Sequence, residues 1–263
     1  MSMTTAVQAA YPEAATLETA DLEHGELRLF NPGIAAAGVE DQPADVRPTA
    51  ANIDDLYVIP EGNRNLGFRA LKRAIDVVGA LVAIVLLSPA MIVTFVVLMV
   101  TTRGKPLFSQ ERVGYCGRRF RMYKFRTMCL DADKKQHLVR NEIGGPVFKN
   151  RRDPRITRIG AFLRSFSIDE TPQLFSVLSG EMSLVGPRPL PTKEIARCEP
   201  WQQRRLAVKP GLTCLWQVSG RSEIGFDDWV RMDLWYLENQ GVWTDLQLLV
   251  KTPFTVLSRR GAY

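Results

Sequence analysis

One segment dominates the hydrophobic pattern. From Val77 to Thr102 there are 26 consecutive residues without a charge. Roughly 20 apolar residues suffice for a helix to cross a bilayer, so a transmembrane anchor is the plainest reading. Ser88-Pro89 falls in the middle of the run, where proline removes a backbone donor and bends a helix. Both flanks are basic, with Arg64, Arg69, Lys72 and Arg73 before the run and Arg103, Lys105 and Arg112 opening the stretch after it. Excess Lys and Arg marks the cytoplasmic side, and a straight span would leave one basic flank outside. The pattern predicts a re-entrant membrane segment over residues 64–104, a helix-break-helix that turns at Ser88 and Pro89 and keeps both ends in the cytosol. The carbonyl that the proline frees needs a donor, and the Ser88 hydroxyl is the candidate.

Beyond the anchor, residues 105–263 carry the periodicity of an α+β domain, mainly helical, on the cytosolic side. Leu107–Val113 and Arg119–Phe125 read as strands of a β-hairpin around Gly114-Tyr115-Cys116-Gly117. Helices are predicted over Leu130–Arg140, Arg158–Phe166, Pro172–Leu178 (stopped by Gly180), Thr192–Ala207, Phe226–Asn239 and Asp245–Leu257. The last two carry apolar stripes, including Trp229, Trp235 and Phe254. Such stripes are either core or the lipid-facing side of amphipathic helices lying in a membrane interface. Residues 1–63, rich in Ala, Pro and acid, read as an acidic disordered tail. Met1–Ala10 lacks the basic start and apolar core of a signal peptide.

Charge sharpens this division. The net +6 over 263 residues splits into −9 for residues 1–63 and +15 for the remainder. A body at +15 calls for an anionic partner: membrane lipid, nucleic acid or a phosphorylated substrate. The four cysteines have no C-x-x-C spacing and suit free thiols in a reducing compartment. With only His24 and His137, a His-centred triad or His-rich metal site is not expected. Chemistry has to rest on carboxylates, Lys, Arg and backbone.

Those groups concentrate between Arg164 and Pro189. Asp169-Glu170 precede Thr171-Pro172, and proline favours the first turn of a helix, so both acids sit at a helix start. Ser167-x-x-Glu170 also fits a capping box, which would make the acids structural. Arg164 upstream, Arg188 in the Gly-Pro-Arg-Pro turn, and Arg151, Arg152, Arg155 and Arg158 supply a dense positive field. Adjacent acids among arginines suit phosphoryl transfer, in which one carboxylate attacks phosphorus and the other holds a divalent cation. Mg²⁺ takes one or two carboxylates plus substrate phosphates. No Walker A or G-x-G-x-x-G pattern opens a helix. The rival reading is a non-catalytic, membrane-anchored basic scaffold that binds anionic lipid or nucleic acid.

The Ser88-Pro89 segment, Lys124-Phe125-Arg126-Thr127-Met128, Ser167-x-Asp169-Glu170-x-Pro172-Gln173-Leu174 and Met182-Ser183-Leu184-Val185-Gly186-Pro187-Arg188-Pro189 together resemble the bacterial sugar transferase family, the monotopic polyprenyl-phosphate phosphoglycosyl transferases. The resemblance runs from Arg64 to Tyr263. Lys209-Pro210-Gly211-Leu212-Thr213 and Trp216-Gln217-Val218-Ser219-Gly220-Arg221 resemble members that move hexose-1-phosphate, glucose or galactose, to start exopolysaccharide synthesis. The resemblance implies a ping-pong route at the inner membrane of a bacterium. Asp169 would attack a UDP-sugar and expel UMP, and polyprenyl (undecaprenyl) phosphate would then take the phosphosugar. Glu170 would hold Mg²⁺, and Arg164 and Arg188 would grip phosphate. Lys124, Arg126 and Gln173 would stand at the site. No nucleic-acid partner is implied. Which sugar is moved stays open, as does the oligomeric state, a homodimer included.

Overall fold

In the computed structural model the long uncharged run forms one helix, α1, Leu66–Thr101, of 36 residues, long and apolar enough to cross a membrane. Residues 65–139, 141–142, 146–148, 150, 152–219 and 224–258 are described, and they belong to one compact unit, Val58–Tyr263. The acidic segment 1–63 and Arg64, Arg140, Arg151 and Gly220-Arg221 lie outside the described residues. The expected break at Ser88-Pro89 is not a gap in α1, because Pro89 sits inside the helix. Proline leaves the carbonyl four residues back, that of Val85, without its amide donor. The Ser88 hydroxyl donates to that carbonyl at 2.8 Å, so the helix continues through the proline.

The hairpin has the predicted bounds. Strands β1, Leu107–Val113, and β2, Arg119–Phe125, pair antiparallel from Leu107↔Phe125 to Val113↔Arg119. The reversal places Cys116 at φ 51° and Gly117 at φ 77°. Helix α2, Arg158–Ser165, and helix α3, Gln173–Ser179, follow, and Gly180 ends α3 at φ 86°. Strand β3, Ser183–Val185, is next. Strand β4, Leu190–Pro191, then joins the free edge of β1, giving the order β2-β1-β4.

Two predicted helices come apart. In the first, residues 130–139 form turns and a short 3-10 segment, Gln136–Leu138. Asp131 and Asp133 favour turns, and the Ala132 carbonyl accepts from the Lys135 amide of a tight turn and from Arg155 Nη1, each at 3.2 Å, not from the amide four residues on. Thr192–Ala207 divides into α4, Thr192–Ile195, α5, Pro200–Gln203, and a 3-10 turn, Arg204–Ala207. Pro200 has no N–H with which to continue α4, and Glu199 restarts the helix with a capping box to Gln202.

Strand β5, Gly211–Thr213, pairs parallel with β3. A Cβ on Gly211 would lie 2.0 Å from the Gly186 nitrogen, so this approach of two backbones requires glycine. Helices α6, Leu215–Ser219, α7, Phe226–Glu238, and α8, Val242–Ser258, complete the fold. The stripe of α7 is core: Phe226, Trp229, Val230 and Leu234 pack with Val113, Leu190, Leu206 and Trp216. In α8 only Asp245 and Leu248 are buried, and Trp243, Leu246, Val250, Phe254 and Leu257 form an exposed stripe at helical spacing. The unburied apolar stripe therefore belongs to α8 and not to α7.

Both ends of α1 dock on this body. Lys72, Asp76 and Ala80 are buried on one arm and Thr94 and Leu98 on the other, with no buried residue from Leu81 to Val93. On the first arm, Lys72 Nζ donates to Asp245 at 2.6 Å, to the Val185 carbonyl and to the Tyr236 hydroxyl. Asp76 accepts from Ser183 Oγ and the Leu184 amide. Arg73 donates to the Val177 and Leu178 carbonyls, the last turn of α3, at 2.6 and 2.7 Å. On the second arm, Leu98 packs with Phe125 and Leu163.

Candidate active site

The period of two along the hairpin builds one wall of a cavity of about 430 Å³, with Phe108, Gln110 and Arg112 of β1 and Met122 and Lys124 of β2 on the lining. The opposite wall comes from the α2–α3 connection and the Gly-Pro-Arg-Pro turn. Thr157 caps α2, its side chain accepting from the Gly160 amide at 2.9 Å. At the other end of α2, Arg164 Nε donates to Thr127 Oγ1 at 2.9 Å. Ser167 takes a left-handed conformation at φ 55°, uncommon for a residue with a side chain. It turns the chain into a 3-10 segment, Ile168–Glu170, that presents both acids.

Ser167 makes no side-chain cap, which removes the capping-box reading. The Glu170 carboxylate instead faces two cations. Lys124 Nζ donates to Oε1 at 2.9 Å, and Arg188 clamps both oxygens, Nη1 to Oε2 at 3.2 Å and Nη2 to Oε1. Burial opposes charge on Glu170, but Arg188 and Lys124 overturn it and hold the carboxyl well below the usual carboxylate range. Burial also lowers the Lys124 ammonium to about 8, against the pull of Glu170.

Asp169 is the contrast. It is 7% exposed, and no donor within hydrogen-bond distance of its carboxylate is found among the described residues. Burial pushes its pKa up and the adjacent Glu170 adds to the shift, while Lys124, Arg164 and Arg188 pull it part of the way back. A buried carboxylate held close to cations but bonded to none keeps its lone pairs available. That is the arrangement a nucleophile needs.

The structure thus brings Lys124, Arg164, Asp169, Glu170 and Arg188 together. It does not bring Gln173 with them. Arg126 touches the cavity wall, but its guanidinium donates to the Lys105 and Leu107 carbonyls at 2.7 and 2.9 Å. Gln173 is buried in the first turn of α3 and is absent from the lining. Ser88 and Pro89 lie on the middle of α1, between its docked arms. Sequence reasoning passed over two residues. Thr127 orients Arg164. Arg112 reaches into the cavity, with Nη1 donating to the Pro189 carbonyl at 2.9 Å and Nη2 to Gln110 at 2.7 Å. The alternation Phe108, Gln110, Arg112 was the available signal for the second.

Metal ligands are few. Among the described residues no group of three or more His, Cys, Asp or Glu side chains converges. The Asp169–Glu170 pair alone fits a cation such as Mg²⁺, which draws its remaining ligands from phosphate and water. Glu170 Oε2 accepts a single bond from Arg188, which leaves this oxygen one lone pair.

A free carboxylate beside a clamped one, walled by guanidinium and ammonium groups, is a site suited to phosphate, in a chain that also carries a helix of membrane-crossing length. Residues 68–259 match the family model described as bacterial sugar transferase, and the chain belongs to that family. It is 46% identical over 195 residues to the galactosyl transferase CpsE of Streptococcus agalactiae serotype III, covering 73% of this chain and 43% of that protein. Against the undecaprenyl-phosphate galactose phosphotransferase of Salmonella typhimurium the identity is 43% over 202 residues, 74% of this chain and 42% of the relative. Against the exopolysaccharide production protein ExoY of Rhizobium meliloti it is 36% over 216 residues, 79% and 95% of the two chains. The chain therefore spans less than half the length of the first two relatives and nearly all of the third.

Proposed function

We propose that this chain transfers hexose-1-phosphate from a UDP-sugar to undecaprenyl phosphate and releases UMP, as the first membrane step of exopolysaccharide synthesis. The sugar is galactose, by analogy with the relatives named for galactose transfer. The observation that carries the reading is the inequality of the two acids, with Glu170 clamped by Lys124 and Arg188 and Asp169 buried without a bonded donor. Asp169 attacks the sugar-side phosphorus, and an aspartyl phosphosugar forms. The lipid phosphate then takes the phosphosugar and frees the carboxylate. Arg164 stands beside the attacking group, where Thr127 orients it. Lys124 and Arg188 keep Glu170 ionised, so the acid pair stays anionic toward a cation. Asp169 and Glu170 would hold Mg²⁺, which neutralises charge on phosphate oxygens.

The anchor belongs to the same reading. Helix α1 enters the bilayer, bends at Pro89 and returns, leaving both arms on the cytosolic face of the inner membrane. The docking of both arms on one body, with an unburied apolar middle, supports this path. The exposed stripe of α8 lies in the interface. A scaffold that binds lipid by charge alone has no use for a buried acid pair, and no observation favours it.

The test is UMP release by the full chain in detergent. With UDP-galactose and no lipid, the enzyme is expected to release about one UMP per site and retain the phosphosugar, because covalent catalysis splits the reaction in two. Asp169→Asn keeps the shape, removes the nucleophile, and is expected to abolish the burst in a chain that melts like wild type. A burst that survives in this variant removes Asp169 from the chemistry. UMP release that requires the lipid acceptor refutes the ping-pong route.

A further inference from the structure

Glu170 divides the cations of the cavity. Lys124 and Arg188 are spent on its carboxylate. Arg112 and Arg164 line the same cavity and form no ion pair among the described residues. They are held at different places: Arg164 by Thr127 Oγ1 at the end of α2, and Arg112 by the Pro189 carbonyl of the Gly-Pro-Arg-Pro turn.

Arg112 is a built feature of the wall. Strand alternation turns it to the cavity beside Gln110, and its bonds to the Pro189 carbonyl and to Gln110 fix the guanidinium plane. These bonds use two of its five N–H groups. A partly buried cation next to a second cation, Arg188, loses solvation that an anionic ligand restores. A planar guanidinium fork suits a phosphate.

We propose that Arg112 binds the phosphate that faces Asp169 across the reacting phosphorus, the nucleoside-side phosphate of a donor diphosphate. The proposal rests on the donor reading above. In the first half-reaction a bond forms between a carboxylate oxygen of Asp169 and the sugar-side phosphorus. The bond from that phosphorus to the bridging oxygen breaks. Its electron pair stays on the bridging oxygen, and the departing nucleoside monophosphate carries the new negative charge. No proton has to be supplied. Arg164 serves the attacking side and Arg112 the departing side.

The experiment compares UMP with uridine by titration calorimetry on the detergent-solubilised full chain. Arg112→Gln is expected to weaken UMP by ~10- to 100-fold, the range for a charged hydrogen-bonding group, and to leave uridine unchanged. Arg112→Lys, which keeps charge without the fork, recovers part of the loss. Arg164→Gln leaves UMP affinity near the wild-type value. An Arg112→Gln chain that binds UMP as wild type does, or an Arg164→Gln chain that loses it equally, overturns the proposal. A misfolded variant would lose uridine as well, and Arg112→Lys then decides: a partial loss of UMP with uridine retained supports the site, and wild-type UMP affinity overturns it. Wild-type chain that binds no UMP overturns the donor reading itself.

Discussion

Gly160→Ala places one methyl group where helix α2 meets the end of the hairpin. The added Cβ would lie 1.9 Å from the Thr127 carbonyl oxygen and 2.6 Å from its carbon. Real Cβ contacts stay beyond 3.0 Å, so the two backbones must part by about 1.1 Å. Neither is a flexible side chain. The Thr127 carbonyl also accepts from the Thr157 amide at 3.0 Å, so the start of α2 rests on it. Overpacking of this kind costs about 1–3 kcal/mol, and alanine returns about 1 kcal/mol over glycine inside a helix. The net loss of stability is therefore at most about 2 kcal/mol. The effect on rate is larger, because the same movement carries Arg164 away from Thr127 Oγ1 and from its place beside Asp169. A misplacement near 1 Å costs on the order of a hundredfold. The assay pairs a denaturant midpoint with the rate of UMP release in one preparation. A variant that is folded and slow is the expected result. A variant with wild-type turnover shows that α2 tolerates the shift and that Arg164 placement by Thr127 does not govern the rate.

Three further outcomes follow from the same geometry. Arg164→Gln removes a charge that lowers the raised Asp169 pKa; Asp169 must be ionised to attack, so the acid limb of UMP release is expected to move to higher pH, and an unmoved limb refutes the coupling. Ser88→Ala with Pro89→Ala removes about 3 kcal/mol of helix-breaking bias and is expected to straighten α1, so a cysteine at position 65 becomes reactive to an impermeant reagent in intact cells, where the same cysteine in an otherwise native chain stays silent; labelling of that native chain refutes the re-entrant path. Lys124→Met leaves Glu170 with Arg188 alone, and metal titration of the first half-reaction is expected to show a changed Mg²⁺ requirement; an unchanged titration separates Glu170 from the metal.

The sequence carried the site further than it carried the fold. Both hairpin strands were legible to the residue, because alternation and a Gly-x-x-Gly turn are local signals. Asp169 and Glu170 with Arg164 and Arg188 were legible as adjacent acids among arginines, a pattern that a capping box also fitted, and Lys124 entered only through the family resemblance. The misreadings share a cause in tertiary bonding. Arg126 follows the strand that carries Lys124 and lines the same cavity, and only the fold shows that the Lys105 and Leu107 carbonyls hold its guanidinium. Gln173 carries no mark that separates a core amide from a ligand. Leu130–Arg140 reads as helical, and only the fold shows that the Ala132 carbonyl is shared between a tight-turn amide and Arg155. Strands of two or three residues, such as β3, β4 and β5, are too short to show a period of two.

Arg73 reaches from the first arm of α1 to the last turn of α3, and α3 starts three residues after Glu170. A seven-residue helix is about 10 Å long, so the anchor and the acid pair hold opposite ends of one short strut. On the proposed membrane path, the depth at which α1 rides in the bilayer becomes a coordinate of the proposed reaction. Thinner or thicker lipid, by raising or sinking the arm, retunes the height of the acids against the lipid headgroup plane. Turnover in bilayers of graded acyl length becomes a readout of that strut, and cutting it with Arg73→Met should flatten the dependence on thickness.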